Sequence, residues 1–167
     1  MLDQYEGTGR VWPVQPGGSV RARDVMTAHP SVITPDDTIL KAAQLMRDHH
    51  VGVLPVIDNL RDRHLKGVLT DRDIVTRCLA AGHGHACTVR EHMTTHHLTT
   101  VHLDDSVTVV AHKMKRDHLR RIPVMADGDR VAGVIALVDI AVRLRPADPE
   151  LVERIERMAS HGAPLTH

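Results

Sequence analysis

The chain of 167 residues has no phenylalanine, one tryptophan (Trp12) and one tyrosine (Tyr5). A flat ligand in its main body therefore has to lie between aliphatic side chains and not on aromatic rings. Two cysteines, Cys78 and Cys87, are too few for a disulfide scaffold, and in a reducing compartment they stay free thiols. An excess of charge is missing as well: 21 Lys and Arg balance 21 Asp and Glu. No global field then draws the protein toward nucleic acid or an anionic membrane. There is no long uninterrupted apolar run, and Met1 to Glu6 combine neither a basic start nor a hydrophobic region. The expectation is a cytoplasmic protein with no signal peptide and no membrane partner.

What the chain does contain is a repeat. Arg23-Asp24-Val25-Met26-Thr27 returns as Arg90-Glu91-His92-Met93-Thr94, and Asp36-Asp37-Thr38-Ile39 returns as Asp104-Asp105-Ser106-Val107. Ile39, Ala42, Ala43 and Met46 in the first copy, and Val107, Val110, Ala111 and Met114 in the second, recur at helical spacing and predict one buried helix face used twice. Val53 to Ile57 and Arg121 to Met125 are apolar runs that contain a proline, which suits a strand start or a sheet edge because proline donates no ladder hydrogen bond. Each copy closes with a related stretch, Gly67-Val68-Leu69-Thr70-Asp71-Arg72-Asp73-Ile74 and Gly133-Val134-Ile135-Ala136-Leu137-Val138-Asp139-Ile140. Here an aliphatic strand turns directly into a helix.

The organisation expected is α/β (α+β), two tandem β-α-β-β-α repeats. Residues 1–20, rich in Gly and Pro, form an extended or mobile segment in which Trp12 docks on something. The first repeat covers 21–82, a His- and Cys-containing linker 83–89, and the second repeat 90–146. A C-terminal amphipathic helix covers 147–160, opened by Asp148-Pro149-Glu150 and striped by Leu151, Ile155 and Met158, and 161–167 is a tail. Each unit of roughly sixty residues is small for an independent core, and packing two together solves that problem.

These residues resemble the paired CBS (cystathionine-β-synthase) domain family, in particular stand-alone bacterial proteins built of one such pair. The likeness spans roughly residues 22 to 145. It rests on Asp24-x-Met26-Thr27, the Pro-Val strands ending at Val56 and Val124, and Gly67-x-x-Thr70-x-x-Asp73, repeated in the same order. The resemblance implies two units related by a pseudo-twofold axis, adenosine-containing ligands in the clefts between them, and dimers shaped as a flat disc. It also implies that the Asp of the closing motif holds the ribose hydroxyls and that the Thr lies near ribose and phosphate.

The residue chemistry is compatible with that reading. A carboxylate such as Asp73 accepts both hydroxyls of a ribose diol, and each such charge-assisted bond is worth on the order of 1.5–3 kcal/mol. Thr70 stands where a helix begins, among unsatisfied N–H groups that favour a phosphate oxygen. Arg72, Arg120 and Arg121 are the candidates for neutralising phosphate charge. Ile33, Thr34, Val53 and Leu54 are the candidate adenine walls. Thr-x-x-Asp before an apolar run is equally a helix-capping sequence that needs no ligand, and the two roles are compatible at Thr70. In the second copy Ala136 replaces the threonine while Asp139 remains, so the cleft built on Thr70 and Asp73 is expected to be occupied in preference.

Fourteen histidines is a high count for this length. His83, His85 and Cys87 alternate in the linker, and imidazole with thiolate suits zinc. Their spacing fits no established zinc motif, so the reading favours a solvated linker and names these three as the metal candidates.

The function expected is a non-catalytic sensor, since no nucleophile–base constellation is present. It binds AMP, ADP or ATP, with S-adenosylmethionine or NAD as further adenosine ligands, forms a homodimer, and relays occupancy to a target protein the sequence does not name. The alternative is a zinc-responsive or ligand-free interaction module. Binding of nucleic acid is disfavoured by the balanced charge and the lack of aromatic residues in the body.

Overall fold

The computed structural model describes residues 20–144, together with Glu153 and Arg157. The docking of Trp12 and the apolar stripe of the C-terminal helix fall outside the described residues. Glu153 and Arg157 are both helical and pair at 3.4 Å, one turn apart.

Two matching sheets form the body. In the second repeat, β4 (Val101–His102), β5 (Arg121–Ala126) and β6 (Arg130–Ala136) join β1 (Thr27–Ala28) in the order β1-β6-β5-β4. Only the β4–β5 pair is parallel. In the first repeat, β2 (Val53–Ile57) and β3 (Leu65–Thr70) form an antiparallel pair, flanked by single bridges that Ile33 makes to Val56 and Thr94 to Val68. The bridges occupy the places that β4 and β1 hold in the other sheet. Pro123 lies inside an interior strand, contrary to the edge or strand-start placement expected. It is tolerated because β4 pairs only with Val124 and Met125, so no donor is asked of Pro123 on that side.

The helices α2 (Ile39–Asp48) and α5 (Val107–Arg116) start alike, with Thr38 and Ser106 accepting from Lys41 N–H and Val109 N–H at 3.2 and 3.3 Å. α5 buries Val107, Val110, Ala111 and Met114 as its spacing predicts. In α2 the buried face is Ile39, Ala42 and Met46, with Leu45 partly buried, and Ala43 is exposed. That stripe is rotated toward the bulkier leucine, which buries more apolar area than alanine.

A feature absent from the linear pattern is an exchange between the repeats. The opening helix of the first copy, α1 (Ala22–Val25), places Ala22 and Val25 in the core of the second repeat, with Val101, Val110, Met114, Ile122 and Ile135. The opening helix of the second copy, α4 (Val89–His92), places Val89 in the core of the first, with Ile33, Leu54, Val56, Leu69 and Cys78. The tethers match: Ala22 N–H donates to Asp105 O and Val89 N–H to Asp37 O, both at 2.8 Å. Each core is therefore completed by the other copy's first helix. A third cluster, Ile57, Met125 and Val131 with Val32 and Leu65 against it, joins the two sheets.

Two carboxylates brace these elements. Burial would raise the Asp37 carboxyl, but hydrogen bonds from Lys41 and Thr34 outweigh it and hold it below the usual range. The Arg116 guanidinium and the Thr99 hydroxyl hold Asp117 well below that range. Depressed folded values mean stability that is fully present above the unfolded carboxyl value of about 3.9 and is lost as pH falls through the folded ones. Thermal melts should show Asp37→Asn and Asp117→Asn below the parent at neutral pH, with the gap closing under about pH 4. A gap constant with pH would contradict the assignment.

Candidate functional site

β3 runs straight into a helical segment at Thr70. α3 (Asp71–Asp73) gives way to a π-helical stretch, Ile74–Leu79, whose longer bonds include Ala80 N–H to Val75 O at 3.0 Å. π-bulges concentrate at functional sites because the extra residue re-aims the neighbouring side chains.

Thr70 and Asp73 close on each other. Asp73 Oδ2 accepts from Thr70 N–H at 3.0 Å and from Thr70 Oγ1 at 2.6 Å, while Thr70 Oγ1 accepts from Asp73 N–H at 3.1 Å. This is a reciprocal capping box. The other carboxylate oxygen, Oδ1, lies 3.4 Å from Arg77 Nε, with the Asp73 side chain only 13% exposed. The cap thus engages Oδ2, and Oδ1, opposite a half-exposed guanidinium, is the oxygen placed to exchange partners.

Arg77 was not singled out by the sequence, although it stands one helical turn after Asp73. Its Nη1 also donates to His92 O at 3.3 Å and Thr94 Oγ1 at 3.1 Å, linking Asp73 to the opening segment of the second copy. Gly52 and Asp71 were missed for the same reason, namely that their role depends on the other repeat. Asp71 N–H donates to Gly52 O at 3.2 Å. A Cβ added at Gly52 would meet Asp71 Oδ2 at 2.7 Å and Arg121 Nη1 at 3.1 Å. Arg121, on the second repeat, therefore reaches the Thr70–Asp71 step of the first.

The remaining candidates separate. Val53 is half-buried and opposite Thr70 in the β2–β3 register. Ile33 and Leu54 are 2% and 0% exposed and pack in the first-repeat core, so their side chains do not form an open adenine wall. Thr34 is half-buried with its hydroxyl donating to Asp37 Oδ2 at 2.8 Å. Arg72 and Arg120 are exposed. At the second closing motif, where α6 (Leu137–Leu144) begins, Asp139 Oδ2 accepts from Ala136 N–H at 3.3 Å, a single longer bond where Asp73 has two. Of the linker candidates, His83 and His85 are exposed, whereas Cys87 is half-buried and turns toward Cys78 and His92.

The comparisons with known proteins agree on what this chain is similar to. A family model for the CBS domain matches residues 22–80 and 89–145. The CBS domain-containing protein YhcV of Bacillus subtilis is 37% identical over 120 residues, 72% of this chain and 82% of that protein. Hypoxic response protein 1 of Mycobacterium tuberculosis is 34% identical over 74% of this chain and 84% of its own length. Among solved structures, Hypoxic Response Protein I with two coordinated zinc ions superposes with a TM-score of 0.66 at 35% identity, covering 74% of this chain and 98% of that one. The CBS domain pair of protein MJ0100, in complex with 5-methylthioadenosine and S-adenosyl-L-methionine, superposes with a TM-score of 0.67 at 27% identity, covering 78% of this chain and all of that one.

Proposed function

This chain belongs to the CBS domain family, and from that premise we propose that it is a non-catalytic regulatory module. It binds an adenosine-containing ligand between its two repeats at Thr70 and Asp73 and passes the occupancy on to a partner protein. The observation that carries this reading is the juxtaposition of Asp73, braced by Thr70, with Arg121 arriving from the other repeat beside Gly52. Such a cleft offers a carboxylate for a ribose diol and a cation for a phosphate or carboxylate tail. The two adenosine compounds held by the CBS pair of MJ0100 support the same class of ligand.

AMP, ADP, ATP, S-adenosylmethionine and NAD share the adenosine that Asp73 would hold and differ in the charge that Arg121 and the nearby Arg72 and Arg120 would meet. A thermal-shift panel of these compounds tests the reading. A ligand at a hundredfold excess over its Kd adds about 2.7 kcal/mol, a rise of roughly 5–10 °C for a chain of this size. No rise with any member, in protein first stripped of bound ligand, overturns it.

The active form in this reading is a cytoplasmic homodimer. Val75, Leu79 and Val138 are 56%, 58% and 64% exposed on the helices into which the two closing motifs run, and apolar surface of that kind favours association. Among the described residues no helix is long and apolar enough to cross a membrane. Light scattering at micromolar concentration should give twice the chain mass, with Val75→Lys and Val138→Lys shifting it toward the monomer.

A further inference from the structure

We propose that Cys78, Cys87 and His92 bind a zinc ion, with His83 as the fourth donor, in a site that staples the linker between the repeats. The two thiol sulfurs and an imidazole nitrogen all lie within 4.8 Å of one another. Tetrahedral zinc, with Zn–S near ~2.3 Å and Zn–N near ~2.0 Å, draws such a trio together through small side-chain rotations. The His83 ring stands beside it, its centroid 5.2 Å from that of His92, and His83 N–H donates to Cys78 O at 3.0 Å.

A second observation points to a ligand independently of the clustering. His92 is 3% exposed, and its Nε2 has no hydrogen-bond partner among the described residues. A buried polar atom left unpaired is destabilising, and that cost is removed when a metal takes the lone pair. Two thiolates and two neutral imidazoles also cancel the charge of the ion, so the assembled site is neutral and suits burial.

The chain holds its own control. By the matching tethers of the two repeats, Val25 takes the place of His92 and Val20 the place of Cys87, and by the register of the closing motifs Leu144 corresponds to Cys78. Val25 is 1% exposed in an apolar core. The other copy therefore carries an aliphatic residue at each of these three places. In one copy all three are zinc-ligand types, drawn from separate elements: the π-helical stretch, the linker and α4. Core packing accounts for one buried cysteine but not for this coincidence.

The linker is placed to be held in this way. Cys87 O accepts from Ile39 N–H at 2.8 Å at the start of α2, Cys87 N–H donates to Gly84 O at 3.2 Å, and Cys78 Sγ lies 3.8 Å from Gly84 O. A metal there would join the π-helical stretch that follows Asp73 to the first helix of the second copy.

The test uses untagged protein, purified under reducing conditions, stripped with a chelator and titrated with Co²⁺ as the probe and Zn²⁺ as the competitor. One equivalent of cobalt should bind, with a thiolate-to-metal charge-transfer band and intense visible bands of a tetrahedral site, and zinc should abolish both. Cys87→Val and His92→Val install the residues found in the other copy, so both should fold, as checked by circular dichroism. Both should lose stoichiometric uptake, and His83→Ala should bind zinc at least tenfold more weakly. Cobalt bound without a thiolate band, the mark of the exposed histidines alone, overturns the proposal. So does an undiminished band in Cys87→Val, or a Cys78–Cys87 disulfide in protein that takes up no metal. Unchanged zinc affinity in His83→Ala overturns the assignment of the fourth donor.

Discussion

Asp73→Ala is expected to raise the Kd for the adenosine ligand by about ten- to a hundredfold, the equivalent of one charge-assisted hydrogen bond. The same substitution removes the acceptor of two bonds from Thr70 and the ion-pair partner of Arg77. Loss of the cap costs about 1 kcal/mol of stability, so binding has to be measured well below the melting temperature of the variant. Asp73→Asn separates the two effects. Its amide oxygen still accepts from Thr70 N–H, which preserves most of the cap, while the charge offered to a ribose diol is gone. Calorimetry should therefore find Asp73→Asn nearly as impaired in binding as Asp73→Ala but closer to the parent in stability. Asp139→Ala should matter less, because Ala136 supplies no hydroxyl to brace that carboxylate. Equal losses at Asp73 and Asp139 would contradict the ranking of the two clefts.

Gly67→Ala is expected to destabilise the protein by about 1–3 kcal/mol, a fall in Tm of roughly 2–12 °C, as overpacking does where the neighbour cannot move. A Cβ there would stand 2.6 Å from Thr94 O and 3.3 Å from Met93 Sδ. Thr94 O is backbone, and it already accepts from Val68 N–H at 3.0 Å while Thr94 N–H donates to Val68 O at 2.8 Å. The clash falls on the contact that holds the second copy's opening segment against β3, three residues before Thr70. Gly133→Ala probes the twin contact with Met26 and Thr27. Its nearest clash is Met26 Sδ at 2.5 Å, the flexible end of a side chain, with Thr27 O next at 2.9 Å. Differential scanning calorimetry should therefore find Gly133→Ala the milder of the two. A Gly67→Ala protein as stable as its parent would show that the exchanged segment is not tightly docked.

Much of this was legible in the amino-acid order because it rests on local periodicity. The turn from β3 into a helix at Thr70 follows from an aliphatic run meeting a capping sequence. The buried faces of α2 and α5 follow from 3.6-residue spacing, with Ala43 the one misplaced member, since alanine is too small to compel its own burial. That the side chains of Ile33 and Leu54, expected at the adenine walls, lie in the first-repeat core was not legible for a different reason. An aliphatic residue beside a candidate site reads the same whether it faces ligand or core, and only the strand register decides between them.

Arg77, Gly52 and the trio of Cys78, Cys87 and His92 belong to a further class. Each gains its meaning from a neighbour distant in the chain, and alternation along the linker pointed instead to His83, His85 and Cys87. The amino-acid sequence by itself determined that this protein is a duplicated CBS pair, because duplication and motif order are properties of the string. It also determined that the two closing motifs differ at Thr70 and Ala136. Which opening helix completes which core, which oxygen of Asp73 is already engaged, and which thiols face which imidazole were decided only in the tertiary structure. The reason is that burial and hydrogen bonding act through space: α1 and α4 are short helices of the same motif, and each is held by the core and tethers of the opposite repeat.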